Sequence, residues 1–350
     1  MIRAFNRRYA DHSRLIPVGE SMGWAIDRDI AELTQVWNAM GLRCLPAHYF
    51  SLCERQSVFL GSQFSILDPQ FMESSHRLAI AYFHGLPEQG HEELDGNFRD
   101  FVTHRERFTR IQVSHAHMRK VLLDHGFDEE QVHRIPIGIN PAYFRRRSKA
   151  SSETSRVAYG VPQDAFVVGS FQKDGVGWEE GNEPKLIKGP DLFLKVMEEL
   201  RPRIPKLFVL LSGPARGYVR NGLLELGIPH QHHFLKQPEE ISRLYECLDA
   251  YLVASRDEGG PKAILESMIS EVPLVSSRVG QAVDLIEDGR NAFLVDVEDV
   301  DAMRDRLLQI HENGPEIEAM AVAGYQNALQ HAYGAQKELW RNFMKGFVES

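Results

Sequence analysis

The chain has 350 residues, 43% of them hydrophobic and 25% charged, with a net charge of −9. That is the length of about two ordinary globular domains, and its acidic balance excludes a general pull toward nucleic acid or anionic lipid. Cys44, Cys53 and Cys247 are spaced for neither a zinc site nor a disulfide framework, and no apolar run approaches the roughly 20 residues that span a bilayer.

In chain order, the basic start MIRAFNRRYADHSR has no apolar stretch behind it and is not read as a signal peptide. A β-rich run at 15–18 then leads into a helix-period segment, 25–40, whose Ala25, Ile26, Ile30, Leu33, Val36 and Trp37 form one apolar stripe. Further β-rich runs follow at 57–61, 78–83 and 111–114, then a helix at 116–125 and an extended run at 132–137. Around IGINPAYFRRRSKASSETS the chain is polar, basic and poor in apolar periodicity, which predicts a hinge near 138–165. Beyond it, runs at 166–171, 207–211, 250–254, 274–276 and 292–295 alternate with helices near 190–200, 238–247, 261–270 and 299–312. Strands alternating with helices predict an α/β protein of two parallel sheets with crossovers. The expected boundaries are 1–155 and 156–333, with 334–350 a C-terminal helix packing back on the first domain. Two such sheets facing a central cleft would take ligands at the carboxyl ends of their strands.

The most informative stretch is 251–277, YLVASRDEGGPKAILESMISEVPLVSS. An apolar strand runs into a turn carrying Asp257 and Glu258, then Gly259, Gly260 and Pro261, a helix bearing Glu266, and a second strand. Two glycines let backbone pass close to a ligand. Pro261 suits the first helical position, and the N–H groups of that turn, Ala263 and Ile264 among them, suit a phosphate or a sugar oxygen. Helical side chains lean toward the N-terminus, so Glu266 points back to the same pocket. The bland reading of a bare Glu–x7–Glu spacing is an ordinary strand–turn–helix–strand unit with a solvated carboxylate.

The whole frame does more. Glu258–x7–Glu266, with Met268, Pro273, Gly280 and the strand Asn291 to Val295 behind it, resembles the donor-sugar motif of retaining GT-B glycosyltransferases, family four. RIQVSHAHMRKVLLDHGFDEEQVHRIPIGINPAYF resembles that family's passage into its interdomain linker, with Gly138, Asn140 and Phe144 in place and Ile137 where the family has Asn. YGVPQDAFVVGSFQKD, IKGPDLFLKVMEEL and FLKQPEEISRLYECLDAYLVAS resemble its second domain, so the likeness is strong over 110–312 and weak before it. The resemblance implies two Rossmann-like domains facing a central cleft, the GT-B architecture.

It also implies a site. The leaving group of a nucleotide sugar is a diphosphate, and the family meets it with an Arg after the strand's V-G and the Lys of K-G. Lys188 matches that Lys; the Arg position holds Ser170, and Lys173 three residues on is the substitute, a point charge in place of a fork. Lys262, in the donor turn, offers a further contact. Between the lysines, DGVGWEEGNEPKLI is longer than the family's usual link and reads equally as a mobile flap carrying Trp178 or as a surface excursion. His84, ending the LAIAYF strand, matches the histidine that faces the reacting sugar carbon, and Gly23, with Trp24, stands for the glycine loop near the donor phosphates. The implied catalytic residues are thus His84, Glu258 and Lys188; donor binding falls to Gly23, Lys173, Lys188, Gly259, Gly260, Lys262, Ala263, Ile264 and Glu266.

No metal ligands and no cofactor are expected, since lysines answer the diphosphate and no D-x-D-like motif ends a strand of the second domain. The expected activity is sugar transfer, with retention, from a nucleotide-diphosphate donor to the hydroxyl of a carbohydrate or lipid-linked acceptor. A non-catalytic nucleotide-sugar binder, or a decayed partner subunit, is the alternative that Ser170 and Ile137 leave open. A cytoplasmic location is expected. Arg7–Arg8 and Arg145 to Arg147 suit either plain solvent or the surface of a membrane, and no nucleic-acid partner is expected.

Overall fold

A computed structural model describes residues 9–21, 23, 25–83, 86, 92–235, 237 and 240–349. The chain forms two compact units, Met1–Gly138 with Ala332–Ser350, and Ile139–His331. Each is built on one parallel sheet, as the alternation of strand and helix periods requires.

In the first unit, β1 (Leu15–Val18), β2 (Ser57–Leu60), β3 (Arg77–Tyr82), β4 (Phe108–Val113) and β5 (Val132–Arg134) lie side by side in that order. β2 is buried throughout and β3 nearly so, which is why both read as continuous apolar runs rather than alternating ones. Leu15 also bridges Cys44 in parallel, and Leu45 N–H donates to the Leu15 carbonyl at 2.8 Å. The chain therefore returns to the outer edge of β1 before crossing to β2, which makes the carboxyl end of β1 a switch point. The stripe on the Ala25–Ala39 helix buries Leu33, Val36 and Trp37. Trp37, Phe59 and Trp340 meet edge to face, with ring centroids 5.1 to 5.7 Å apart. Trp340 lies on the Lys337–Met344 helix, so the end of the chain completes the core of the first unit. Ser57 Oγ donates to the Phe347 carbonyl at 2.5 Å, fixing the segment after that helix.

In the second unit the strands are β6 (Phe166–Phe171), β7 (Leu207–Ser212), β8 (His230–His233), β9 (Ala250–Val253), β10 (Leu274–Ser277) and β11 (Phe293–Val295). Their order, β11-β10-β9-β6-β7-β8, is all parallel and doubly wound. The direction of winding reverses between β6 and β9, whose carboxyl ends are therefore where this fold takes ligands. Val167, Leu210, Tyr251 and Val253 pack on one face, and Val168, Val209, Leu211 and Leu252 on the other.

Two features correct the sequence reading. The chain passes from the first unit to the second at Gly138–Ile139, at the start of the expected hinge region, and the rest of that region contains an unread helix, Lys149–Ala158, of the second unit. Ser148 and Ser151 cap it reciprocally, and its inward face is polar: Arg156 is 6% exposed, donates to the Cys247 and Ala165 carbonyls and pairs with Asp249 at 2.7 Å. A helix that buries Ser155 and Arg156 has no apolar stripe to detect. β8, with the sequence HQHH, was missed for a related reason, being an edge strand without apolar alternation. The Glu92–Thr103, Gly217–Glu225 and Pro315–Gln330 helices were also unread.

Truncating Trp340 to Ala should cost about 3 to 5 kcal/mol of unfolding free energy, measured by urea melts, because three rings lose their common contact. His76 supplies a pH prediction. Gln56 N–H donates to its Nδ1 at 3.1 Å, while Nε2 faces the Phe50 carbonyl oxygen at 3.0 Å. A carbonyl only accepts, so the ring is neutral with its proton on Nε2. Burial, then the nearby Arg107 charge, lower its pKa below the ordinary 6.5, against the two backbone hydrogen bonds. The folded state thus binds fewer protons than the unfolded chain, and stability is full above 6.5 and falls as pH drops through it. The urea midpoint should fall between about pH 7.5 and about pH 5.5, and His76→Gln should fall less over the same span.

Candidate active site

The site is built at the carboxyl ends of β6 and β9. Gly189 has φ +64°, and a Cβ there would lie 1.9 Å from the Ala254 carbonyl oxygen, so only glycine lets this segment cross the end of β9. Arg256 and Asp257 N–H groups both donate to the Ile187 carbonyl, at 2.8 and 3.1 Å. The Arg256 guanidinium grips both oxygens of Asp191 at 2.8 Å. Laid down in this way, Lys188 Nζ donates to Glu258 Oε2 at 2.5 Å, and Ser255 Oγ donates to Glu258 Oε1 at 3.0 Å. The lysine and glutamate side chains are 19% and 8% exposed, so neither charge is well solvated and each holds the other in place. On the far side, Gly280 (φ +46°) would put a Cβ 2.3 Å from the Glu258 carbonyl oxygen, and Gln281 N–H donates to the Gly259 carbonyl at 3.2 Å. The turn through Glu258, Gly259 and Gly260 is held from both flanks.

The helix after that turn runs Lys262–Ile269, with Pro261 as its cap residue rather than its first helical one. Ile264 N–H, expected from the sequence to face a ligand, closes on the Pro261 carbonyl at 3.2 Å. Lys262 and Ala263 open the first turn. Glu266 sits one turn in, partly buried, and its Oε2 accepts a hydrogen bond from Tyr245 Oη at 3.1 Å. Sequence reasoning missed Tyr245; the apolar run around it reads as plain core.

Ser170, standing where the resemblance expects Arg, is met by a different arginine. Arg216 Nη2 donates to Ser170 Oγ at 3.1 Å, Nη1 to the Ser170 and Ser212 carbonyls at 2.5 and 2.9 Å, and Nε lies 2.9 Å from Asp174 Oδ1. Both side chains of this ion pair are fully buried. Burial pushes the Asp174 carboxyl up, and Arg216 pulls it down. Arg216 was unread because nothing in LFVLLSGPARG marks it as more than a surface turn. Its charge is spent inside the protein, joining the ends of β6 and β7 to the segment that follows Lys173.

That segment is a docked excursion. Val176 N–H donates to the Glu183 carbonyl and Lys185 N–H to the Asp174 carbonyl, each at 2.8 Å. Gly217 and Tyr218 N–H groups donate to Glu180 and Gly181 at 2.6 and 2.9 Å, fastening it to the Gly217–Glu225 helix. Trp178 is 57% exposed, and Lys173 Nζ lies 3.5 Å from its ring centroid, a cation–π contact. Burial, then the neighbouring Lys185, lower the Lys173 pKa.

In the first unit, the loop containing Gly23 closes on the chain's own carboxylate. Asp27 accepts from the N–H groups of Glu20, Ser21 and Gly23 at 2.7, 3.0 and 2.7 Å. His84, Trp24, Arg7 and Arg8 lie outside the described residues. Of the other basic cluster, Arg146 pairs with Glu271 at 2.5 Å and Arg147 with Asp249 at 3.1 Å, both within the second unit. Among the described residues no helix is long and apolar enough to cross a membrane.

Comparison with known proteins gives a family profile and a fold. The profile of the family described as glycosyl transferases group 1 matches residues 184–327. D-inositol 3-phosphate glycosyltransferase of Corynebacterium urealyticum is 27% identical over 65% of this chain and 53% of its own. The lipopolysaccharide core biosynthesis mannosyltransferase LpcC of Rhizobium leguminosarum is 30% identical over 41% of this chain and 42% of its own. The chain spans about half the length of the curated relatives it matches. HepE of Anabaena, solved in complex with UDP and glucose, superposes with a TM-score of 0.75 at 15% identity, over 95% of this chain and 99% of its own. Sucrose-phosphate synthase of Thermosynechococcus elongatus gives 0.73 at 14%, over 95% and 100%. These likenesses carry the fold, which is GT-B. Residues 184–327, within the second unit, are thus similar to the glycosyl transferases group 1 family and sit in a GT-B fold.

Proposed function

We propose that the protein transfers a sugar, with retention, from a nucleotide-diphosphate donor to a hydroxyl acceptor, without a metal ion or cofactor. The observation that carries this reading is the Lys188–Glu258 pair, oriented by Ser255 and seated by Gly189 where the winding of the sheet reverses. Relatives named as glycosyltransferases and mannosyltransferases, and a structural neighbour solved with UDP and glucose, support it.

The roles follow from charge and geometry. Glu258 accepts a hydrogen bond from a donor-sugar hydroxyl while Ser255 keeps its other oxygen in place. Lys188 turns from Glu258 toward the diphosphate and, with Lys173, meets the charge that grows on the leaving nucleotide. The diphosphate oxygen takes the proton of the acceptor hydroxyl as the sugar leaves on the same face. Glu266 accepts from the ribose, and Lys262 opens the helix turn beside it. His84 acts on the acceptor side. The acceptor is a carbohydrate or lipid-linked hydroxyl.

A second reading is favoured by one observation. The arginine that reaches Ser170 is neutralised by Asp174, which leaves lysines alone to face a diphosphate. A nucleotide-sugar binder without turnover would fit that weaker charge set.

Calorimetry with UDP-, GDP- and ADP-sugars in EDTA separates these outcomes. One donor should bind, and Lys188→Ala or Glu266→Ala should weaken it by about tenfold or more, the worth of a charge-assisted hydrogen bond. Binding followed by slow release of free sugar supports transfer; binding with no release under any acceptor supports the second reading; no binding sinks both. Gly189→Ala leaves every charged group intact yet cannot cross β9, so it should lose the donor as Lys188→Ala does. Wild-type affinity in Gly189→Ala would show that the seating is not needed.

A further inference from the structure

Behind Glu266 lie two buried tyrosines. Tyr245 Oη donates to Glu266 Oε2 at 3.1 Å. The Tyr251 ring stacks on that of Tyr245 with centroids 5.5 Å apart, and Phe171 N–H, at the carboxyl end of β6, donates to Tyr251 Oη at 2.6 Å. Tyr245 is 0% exposed and Tyr251 1%. A carboxylate only accepts, so the Tyr245 hydroxyl spends its one proton on Glu266. In a dry core such a bond is strong.

Packing alone does not call for the two oxygens. Phenylalanine would fill the same space among Phe144, Phe171 and the apolar cluster of this face without placing hydroxyls where water is absent. The Tyr245 hydroxyl becomes useful if the carboxylate it ends on must keep one rotamer. Burial first, then the Glu266 charge, hold Tyr245 well above the ordinary tyrosine range, so its proton stays available to the carboxylate.

We propose that Tyr245 is a positioning residue that fixes the Glu266 carboxylate toward the ribose diol of a nucleoside diphosphate, its ring held by stacking on Tyr251, which is itself anchored on the backbone of β6. One oxygen of Glu266 is committed to Tyr245, and the carboxylate is thereby oriented for a diol. This rests on the reading of Glu266 as the ribose ligand. It adds that selection of ribose over deoxyribose is set one layer below the residue that touches the sugar.

The test uses the full-length protein and the uridine, guanosine and adenosine diphosphates, each with its 2′-deoxy form. The wild type should favour one ribonucleotide over its deoxy form by about tenfold, and Glu266→Gln should erase that preference. Tyr245→Phe, which removes one oxygen, should weaken the ribonucleotide about five- to tenfold and leave the deoxy form nearly unchanged. Tyr245→Phe added to Glu266→Gln should cost nothing further. Thermal melts of each variant check the fold. If Tyr245→Phe keeps the wild-type preference while Glu266→Gln abolishes it, the positioning role is wrong and the ribose reading stands. Equal weakening of both nucleotides would show a merely structural tyrosine. A wild type without preference, or a Glu266→Gln variant that retains it, overturns the ribose reading and the positioning role with it.

Discussion

The second unit depends on one close approach: the chain crosses the end of β9 at Gly189, where any Cβ would overlap the Ala254 carbonyl. Without that crossing, the segment before the Pro190–Leu200 helix would ride higher, and Lys188 could not reach the carboxylate that follows β9. The cost of a left-handed residue is accepted where no side chain exists to resent it. Arg256 pins the same segment from the β9 side, through the Leu186 carbonyl and Asp191. Glu258 is thus held by its own strand, by Ser255 and by a lysine that arrives from elsewhere in the sheet.

Three charge clusters in this unit are shielded from open water. Arg216 with Asp174 is fully buried, Lys188 with Glu258 mostly so, and Arg156 shares Asp249 with Arg147. Buried pairs add little net stability, but breaking one strands a charge, so they lock geometry more firmly than they stabilise the fold. Arg216 shows what that locking does. It ties the ends of β6 and β7 to Asp174, and the residue just before Asp174 is Lys173, whose partner is a tryptophan face rather than a carboxylate. A cation held by an aromatic ring keeps its full charge for an arriving anion. Lys188 must instead be shared with Glu258.

The legible part of the protein follows a physical pattern. Strands buried on both faces of a parallel sheet announce themselves by composition, and each of the ten expected β runs has a strand in the structure. The unread elements are those whose faces are not apolar: HQHH on a sheet edge, and a capped helix that turns a serine and an arginine inward. The stripe on the Ala25–Ala39 helix was readable because it ends on a tryptophan that the core needs. In the site, Glu258 and Glu266 were visible from their spacing and Lys188 from the family resemblance, and the structure joins Lys188 to Glu258 directly. Tyr245 and Arg216 were not, since a tyrosine in an apolar run and an arginine after a strand look like core and surface.

Local sequence by itself determined the strand and helix periods, the parallel character of both sheets, and the turn that places two carboxylates around a helix start. Those properties depend on residues a few positions apart, so a window of sequence contains them. Tertiary structure alone decided that Arg216 answers Ser170, that Asp174 anchors the excursion, and that a buried tyrosine hydroxyl ends on Glu266. Each of these joins residues from different elements of the fold, and which side chains meet there follows from how strands, helices and loops pack, which no local pattern encodes.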